Sequence, residues 1–275
     1  MIADTEIVVL SDMHSGGSTA LFPNRFWQFA NQNHTPTKHQ KKMFAHYELC
    51  AAYGLERRRG RRLIVIHDGD AIEGYHHNTQ QTLTQNKQEQ AEVHCELMDY
   101  FLERVKFGRG DELYYVNGTE THTGQYEEKI AEDMGAKRNP AGGHVFEHLE
   151  LTINGKLFWF AHHGAGAGAG ANEGNGLRNF LRNVYYDCLK IGATPPDCIV
   201  TGHVHKPTWN TYIAHEPDDF RVMHGIICPS WQMKTRYGYK AAPVQTTEIG
   251  AVFISVPVAG DIPKPKLLRM ATDKV

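Results

Sequence analysis

The chain has 275 residues, 41% hydrophobic and 22% charged, ordinary for a soluble globular protein with a large core, and its net charge of −2 excludes polyanion binding by bulk electrostatics. Its five cysteines (Cys50, Cys95, Cys188, Cys198, Cys228) are odd in number and lack C-x-x-C spacing, which excludes a disulfide framework or zinc knuckle and predicts buried thiols in a reducing, cytoplasmic setting. Neither a signal peptide at the start nor a bilayer-length apolar stretch is visible, whereas 17 histidines exceed routine structural demand and direct attention to metals.

Glu6 to Leu10 reads as a buried strand and runs into Ser11-Asp12-Met13-His14-Ser15-Gly16-Gly17. Asp12 and His14, two apart past a strand end, can offer one oxygen and one nitrogen to the same ion, or form a plain capped turn. Residues 18–38, polar and aromatic with Pro23 and Pro36, read as an inserted loop. From His39 to Arg59 the spacing of Met43, Tyr47, Cys50 and Leu55 predicts an amphipathic helix ending in the basic run Arg57 to Arg62. That run precedes a strand, whereas the candidate ligands follow strands, so it belongs at the opposite sheet edge and matches a helix C-terminus better than a catalytic role.

Leu63 to Ile66 is the second strand and leads into His67-Asp68-Gly69-Asp70-Ala71-Ile72-Glu73. Asp70 projects a carboxylate that can bridge two cations, and Glu73 and Asp68 are placed to orient neighbouring ligands as acceptors. His76 and His77 read as solvent-exposed. Residues 86–107 form a second helix whose His94 and Cys95 read as packing or surface residues. Glu112 to Val116 is the third strand, followed by the polar loop Asn117 to Gly124 and a short helix near 125–135.

Two β-like runs, His144 to Ile153 and Leu157 to Ala161, join through the hairpin signal Asn154-Gly155. The second delivers His162-His163-Gly164, then a Gly/Ala-rich loop at 164–176 that can act as a lid, then a helix. That helix carries Arg178 and Arg182, which either bind a substrate phosphate or face water. Cys198 to Val200 is a strand ending in Thr201-Gly202-His203-Val204-His205. Runs at 209–214, 221–228 and 248–256 predict a second, largely antiparallel sheet, with no repeat and no linker, hence one domain over 1–275.

Five strand ends therefore offer ligands: Asp12 and His14; Asp70; the 117–122 loop; His162 or His163; His203 and His205. Carboxylates and imidazoles without thiolate point to borderline-hard divalent cations, enough ligands for two, with Asp70 best placed to bridge. Two cations roughly 3.5–4 Å apart lower the pKa of a shared water and clamp an in-line displacement at phosphorus.

On Asp12-Met13-His14, Gly69-Asp70-Ala71-Ile72-Glu73, His162-His163-Gly164 and Gly202-His203-Val204-His205, in that order, the chain resembles the calcineurin-like metallophosphoesterases. The resemblance covers roughly residues 6–256. It implies an α/β fold, a four-layer α/β/β/α sandwich of two mixed sheets flanked by helices. It further implies two divalent metal ions (manganese foremost, or iron, zinc or nickel) and hydrolysis of phosphate monoesters or diesters by a metal-bridging hydroxide. Asp12, His14 and His205 would hold one metal, His203 and His162 (or His163) the other, and Asp70 would bridge. The third block departs from the family's Gly-Asn-His: here it reads Gly118-Thr119-Glu120-Thr121-His122. Thr119 stands where the asparagine ligates the second metal, with Glu120, Asn117 or water as substitutes, and His122 takes the general-acid role. The expected partner is a phosphate-ester substrate, nucleotides and nucleic acid included, with no membrane. One rival reading is a nuclease using Lys234, Arg236, Trp231, Tyr237 and Tyr239; another is a metal-binding scaffold with impaired catalysis.

Overall fold

The apolar run of β1 (Thr5–Ser11) is buried along its whole length, because period-two alternation sends Ile7 and Val9 into one core and Val8 and Leu10 into another. β1 is central in the computed structural model, which describes residues 4–75, 81–168, 172–215, 220–241, 246–262 and 264–272. It pairs in parallel with β4 (Arg62–Asp68), β4 with β5 (Glu112–Val116), and β5 with the short β6 (Val145–Phe146). On its other side β1 pairs antiparallel with β12 (Glu248–Val256), which pairs antiparallel with β13 (Lys266–Ala271). The second sheet runs β10 (Thr208–His215), β11 (Phe220–Ile227), β9 (Cys198–Thr201), β8 (Lys156–Phe160), β7 (Leu149–Ile153). It too is mixed: β11, β9 and β8 are parallel neighbours and both outer pairs are antiparallel.

The buried clusters establish four layers. Val8, Val65 and Tyr115 on one face of the six-stranded sheet pack against Tyr47 of α1 (Lys38–Arg58), Phe101 of α2 (Lys87–Arg104) and Ile130 of α3 (Tyr126–Asp133). Its other face, Ile7, Ile64 and Val116, meets Phe158, Phe160 and Val200 of the five-stranded sheet. The outer face of that second sheet, Ile199 and Met223, is covered by Leu181 and Tyr185 of α4 (Asn175–Ile191). The α/β/β/α sandwich of two mixed sheets is thus the fold. A short α5 (Arg236–Ala241) follows the second sheet.

Two local expectations need correction, and the loop at 18–38 gains detail: its Leu21, Phe22, Trp27 and Phe29 are buried in the helix-side core, and β2 (Trp27–Gln28) pairs with β3 (Asn33–His34). Its aromatic content supplies the driving force. The run His144–Ile153 is two strands, because the chain breaks at Glu147–His148 and passes from β6 in one sheet to β7 in the other. Residues 248–256 belong to the six-stranded sheet, where β12 lies beside β1. His76 and His77, and residues 169–171 of the Gly/Ala run, lie outside the described residues.

Candidate metal centre

Parallel pairing within each sheet brings the carboxyl ends of β1, β4 and β5, and those of β8 and β9, to one edge of the sandwich, where open α/β sheets place their sites. The loops stay paired beyond the strands: Asp12 N donates to the Gly69 carbonyl at 3.0 Å and His14 N to that of Asp70 at 2.9 Å. The sheets are joined there by His203 N, which donates to Asp12 Oδ2 at 3.0 Å, while Gly202 N, donating to the His162 carbonyl at 3.1 Å, prolongs the β8–β9 pairing within the second sheet.

Eight described non-glycine residues have positive φ, and five of them are Asp12 (53°), His14 (46°), Asp70 (53°), His203 (67°) and His205 (55°). A left-handed conformation costs an L residue about 1–2 kcal/mol, and glycine would avoid that cost. Such strain gathers where side-chain chemistry is needed. Gly118 shows the complementary demand, because a Cβ there would sit 2.2 Å from Asp70 N.

The side chains converge in two groups. In the first, His205 Nε2 lies 3.1 Å from Asp12 Oδ1 and 3.2 Å from His14 Nε2. In the second, His162, His163 and His203 bring ligand nitrogens within 4.8 Å of one another. Asp70 lies between the groups, with Oδ2 3.8 Å from His14 Nε2 and 3.1 Å from His162 Nε2. Asp12 and His14 of the first group are buried and His205 is half-buried, whereas His163 and His203 are exposed, so the second group faces solvent. His162 donates from Nδ1 to the Asp68 carbonyl at 2.8 Å, and its buried Nε2 makes no hydrogen bond of good geometry. An orphaned imidazole nitrogen aimed at carboxylates, with its other nitrogen anchored on a carbonyl, fits a divalent cation.

The electrostatics follow from the same crowding. Burial would raise the Asp12 carboxyl, but the imidazoles of His205 and His162 hold it well below the usual range. Burial likewise opposes ionisation of Asp70, and the close approach and charge of His162 outweigh it. Burial works against the His14 imidazolium, yet the hydrogen bond and charge of Glu73 raise it to about 9. His162 is also raised, Asp12 and Asp70 overcoming burial, while burial and the neighbouring His162 lower His163 and His203.

The altered third block sits against this cluster. Thr119 N donates to Asp70 Oδ1 at 2.6 Å, and its Oγ1 lies 3.3 Å from Asp70 Oδ2, 3.4 Å from His163 Nε2 and 3.5 Å from His203 Nδ1. Asn117 instead turns to Glu147, donating at 2.9 Å, and Glu120 is exposed. His122 Nδ1 is anchored on the Glu73 carbonyl at 2.8 Å, and a ring nitrogen comes within 4.8 Å of His14 and Asp70 ligand atoms.

Of the two acids expected to orient ligands, Glu73 does so with its side chain, Oε2 lying 3.1 Å from His14 Nδ1. Asp68 does so through its main chain; its buried carboxylate oxygens have no hydrogen-bond partner among the described residues, and burial raises its pKa to about 7. Sequence reasoning missed Glu127, buried on α3; His94, read as a packing or surface residue, is buried, with Nδ1 donating to the Ala71 carbonyl at 3.1 Å and Nε2 accepting from the Tyr115 hydroxyl at 3.0 Å. Burial lowers His94 to about 3 and leaves it neutral.

Other expectations fall away from the cluster. Arg178 and Arg182 are exposed on α4, and no contact of either with a candidate ligand occurs among the described residues. Trp231 is wholly buried, edge-on to Tyr47, and cannot stack on a nucleic-acid base. The Tyr237 side chain lies outside the described residues, and Lys234 stands over the Tyr239 ring at 4.7 Å. At the opposite edge Arg57 pairs with Glu6 at 3.2 Å and Arg58 with Asp111 at 2.7 Å, so these charges are structural. No described helix is long and apolar enough to cross a membrane.

No family model and no curated protein matches the chain. Among solved structures it is similar to a predicted phosphoesterase from Streptococcus pneumoniae, at 12% identity over 98% of this chain and 99% of that one, with a TM-score of 0.31. It is also similar to the Haemophilus influenzae NAD nucleotidase, at 12% identity over 98% of this chain and 51% of that one, TM-score 0.45. A purple acid phosphatase from yellow lupin gives 12% identity, 99% and 52% coverage, and a TM-score of 0.44. The chain spans about half the length of the latter two. Likenesses this remote leave the chemistry to be argued from the side chains themselves.

Proposed function

We propose that the protein is a metal-dependent phosphoesterase with a two-cation site. Asp12, His14 and His205 hold one divalent cation, His162, His163 and His203 the other, and Asp70 bridges them. The observation carrying this reading is the place of Asp70, whose carboxylate belongs to one ligand group with His14 and His122 and to another with Asp12 and His162. Bound cations supply Lewis acidity and a nucleophilic water at neutral pH.

The residues of the chain do the rest. Glu73 and the Asp68 carbonyl fix the rings of His14 and His162, so that each presents its Nε2 to the centre. Exposed His163 and His203 leave the second group open to an incoming ester. His122, held through Nδ1 by the Glu73 carbonyl, donates a proton to the departing oxygen. Thr119 takes the place left by the missing amide, its hydroxyl facing Asp70, His163 and His203.

The test is metal content together with hydrolysis of bis-p-nitrophenyl phosphate and p-nitrophenyl phosphate in manganese. Faster hydrolysis of the diester identifies a phosphodiesterase. Two bound cations with neither ester hydrolysed would overturn the catalytic reading in favour of a metal-binding scaffold.

A further inference from the structure

We infer that Glu127 is a positioning residue that locks the altered third loop to the Asp70 loop and thereby sets the affinity of the second cation. The inference rests on the two-cation reading. Glu127 is 1% exposed, and its carboxylate gathers three donors from two loops. Oε2 accepts from Gly118 N at 2.6 Å and from the Thr123 hydroxyl at 3.2 Å; Oε1 accepts from Ala71 N at 3.2 Å. Gly118 precedes Thr119 and Ala71 follows Asp70, so one carboxylate grips both neighbours of the pair that meets at the centre. That pair is itself bonded, Thr119 N to Asp70 Oδ1.

Thr119 Oγ1 faces His163 and His203 but has no contact with Asp12 or His205 among the described contacts. Asp70, shared by both cations, keeps its anchor through His14 N on its carbonyl at 2.9 Å, so loosening the grip falls on Thr119 and on the solvent-facing cation. The carboxylate form is specifically required, because all three partners are donors. An amide offers one acceptor oxygen and sets its NH2 against a backbone N–H. The turn from Thr119 to Gly124, closed by His122 N on the Thr119 carbonyl at 2.9 Å, hangs from the same grip, so His122 shares the dependence.

The experiment is manganese titration calorimetry on the metal-free full chain, wild type against Glu127→Gln, with thermal melting of each. Glu128→Gln is the control: Glu128 lies on the same helix but accepts from His144 N at 2.6 Å and Val145 N at 3.0 Å, away from the centre. The expected result is an unchanged tighter step and a weaker step loosened about 10–100-fold in Glu127→Gln, with Glu128→Gln like wild type in both steps. If Glu127→Gln does not accumulate folded, Thr123→Val removes one of the three donors and gives a smaller loss in the same step. Two wild-type-like steps in the variant, or equal loss of both, overturns the role of Glu127 alone. Fewer than two cations bound by the wild type overturns the two-cation reading and this inference with it.

Discussion

His162 reaches across the sandwich from the end of β8 and donates through Nδ1 to the main-chain carbonyl of Asp68, the last residue of β4, at 2.8 Å. A carbonyl can only accept, so the bond fixes the proton on Nδ1 and leaves Nε2 as the ligand atom. Because the acceptor is a peptide group, no side-chain substitution at position 68 removes it.

Asp68→Asn therefore preserves metal binding, and it changes the pH dependence of stability. The buried carboxyl titrates at about 7 in the folded, metal-free protein, against about 3.9 unfolded. Its folded pKa is raised, so its contribution is fully present below the unfolded value and is lost as pH rises through 7. Metal-free wild type should lose up to about 1.4 kcal/mol per pH unit across that window from this group, and Asp68→Asn should not. Urea unfolding between pH 4 and 7.5 checks it; parallel profiles for the two proteins would refute it.

Cation uptake near neutral pH releases protons. His14, raised to about 9 chiefly by Glu73 against the opposing effect of burial, and His162, raised by Asp12 and Asp70, are both protonated at pH 7 without metal. Both must be neutral to bind, so roughly two protons should leave and affinity should climb from pH 7 towards 9. Calorimetry in two buffers of different ionisation enthalpy counts them.

His122→Ala should leave metal content intact and slow esters with poor leaving groups by about 10²–10⁴-fold, with a much smaller effect on p-nitrophenyl esters. Asp70→Asn should abolish turnover on both. An unchanged rate for an alkyl ester in His122→Ala would remove it from the general-acid role.

The left-handed backbone at His205 predicts an inversion of the usual ranking of small residues. At φ 55° glycine is unstrained and alanine is not, so metal-free His205→Gly should be more stable than His205→Ala by about 1 kcal/mol. Denaturant midpoints decide the order.

The residues that converge were readable because each sits one to four residues past the end of a strand, and a strand end is the feature that sequence pattern marks best. The four layers came from resemblance, and the packing of Ile7 and Val8 onto opposite cores accounts for them. Glu127 was not readable: it lies in the first turn of a short helix, where an acid complements the macrodipole anyway, and its partners are backbone groups of distant loops. Trp231 misled for the same reason, since nothing local separates an aromatic that stacks on a ligand from one that fills a core. The passage of the chain from β6 to β7 was hidden because both strands show the same alternation and only their tertiary partners differ.

The indole of Trp231 lies in the helix-side core, while its main-chain N–H donates to the Asp12 carbonyl at 2.9 Å and its carbonyl accepts from Leu21 N at 2.8 Å. One residue thus ties the aromatic hairpin segment to the first ligand loop. The protein carries its own optical gauge: a shift of Asp12 on cation loading is transmitted directly to a chromophore shielded from water, and the emission of that tryptophan should follow occupancy without any added label.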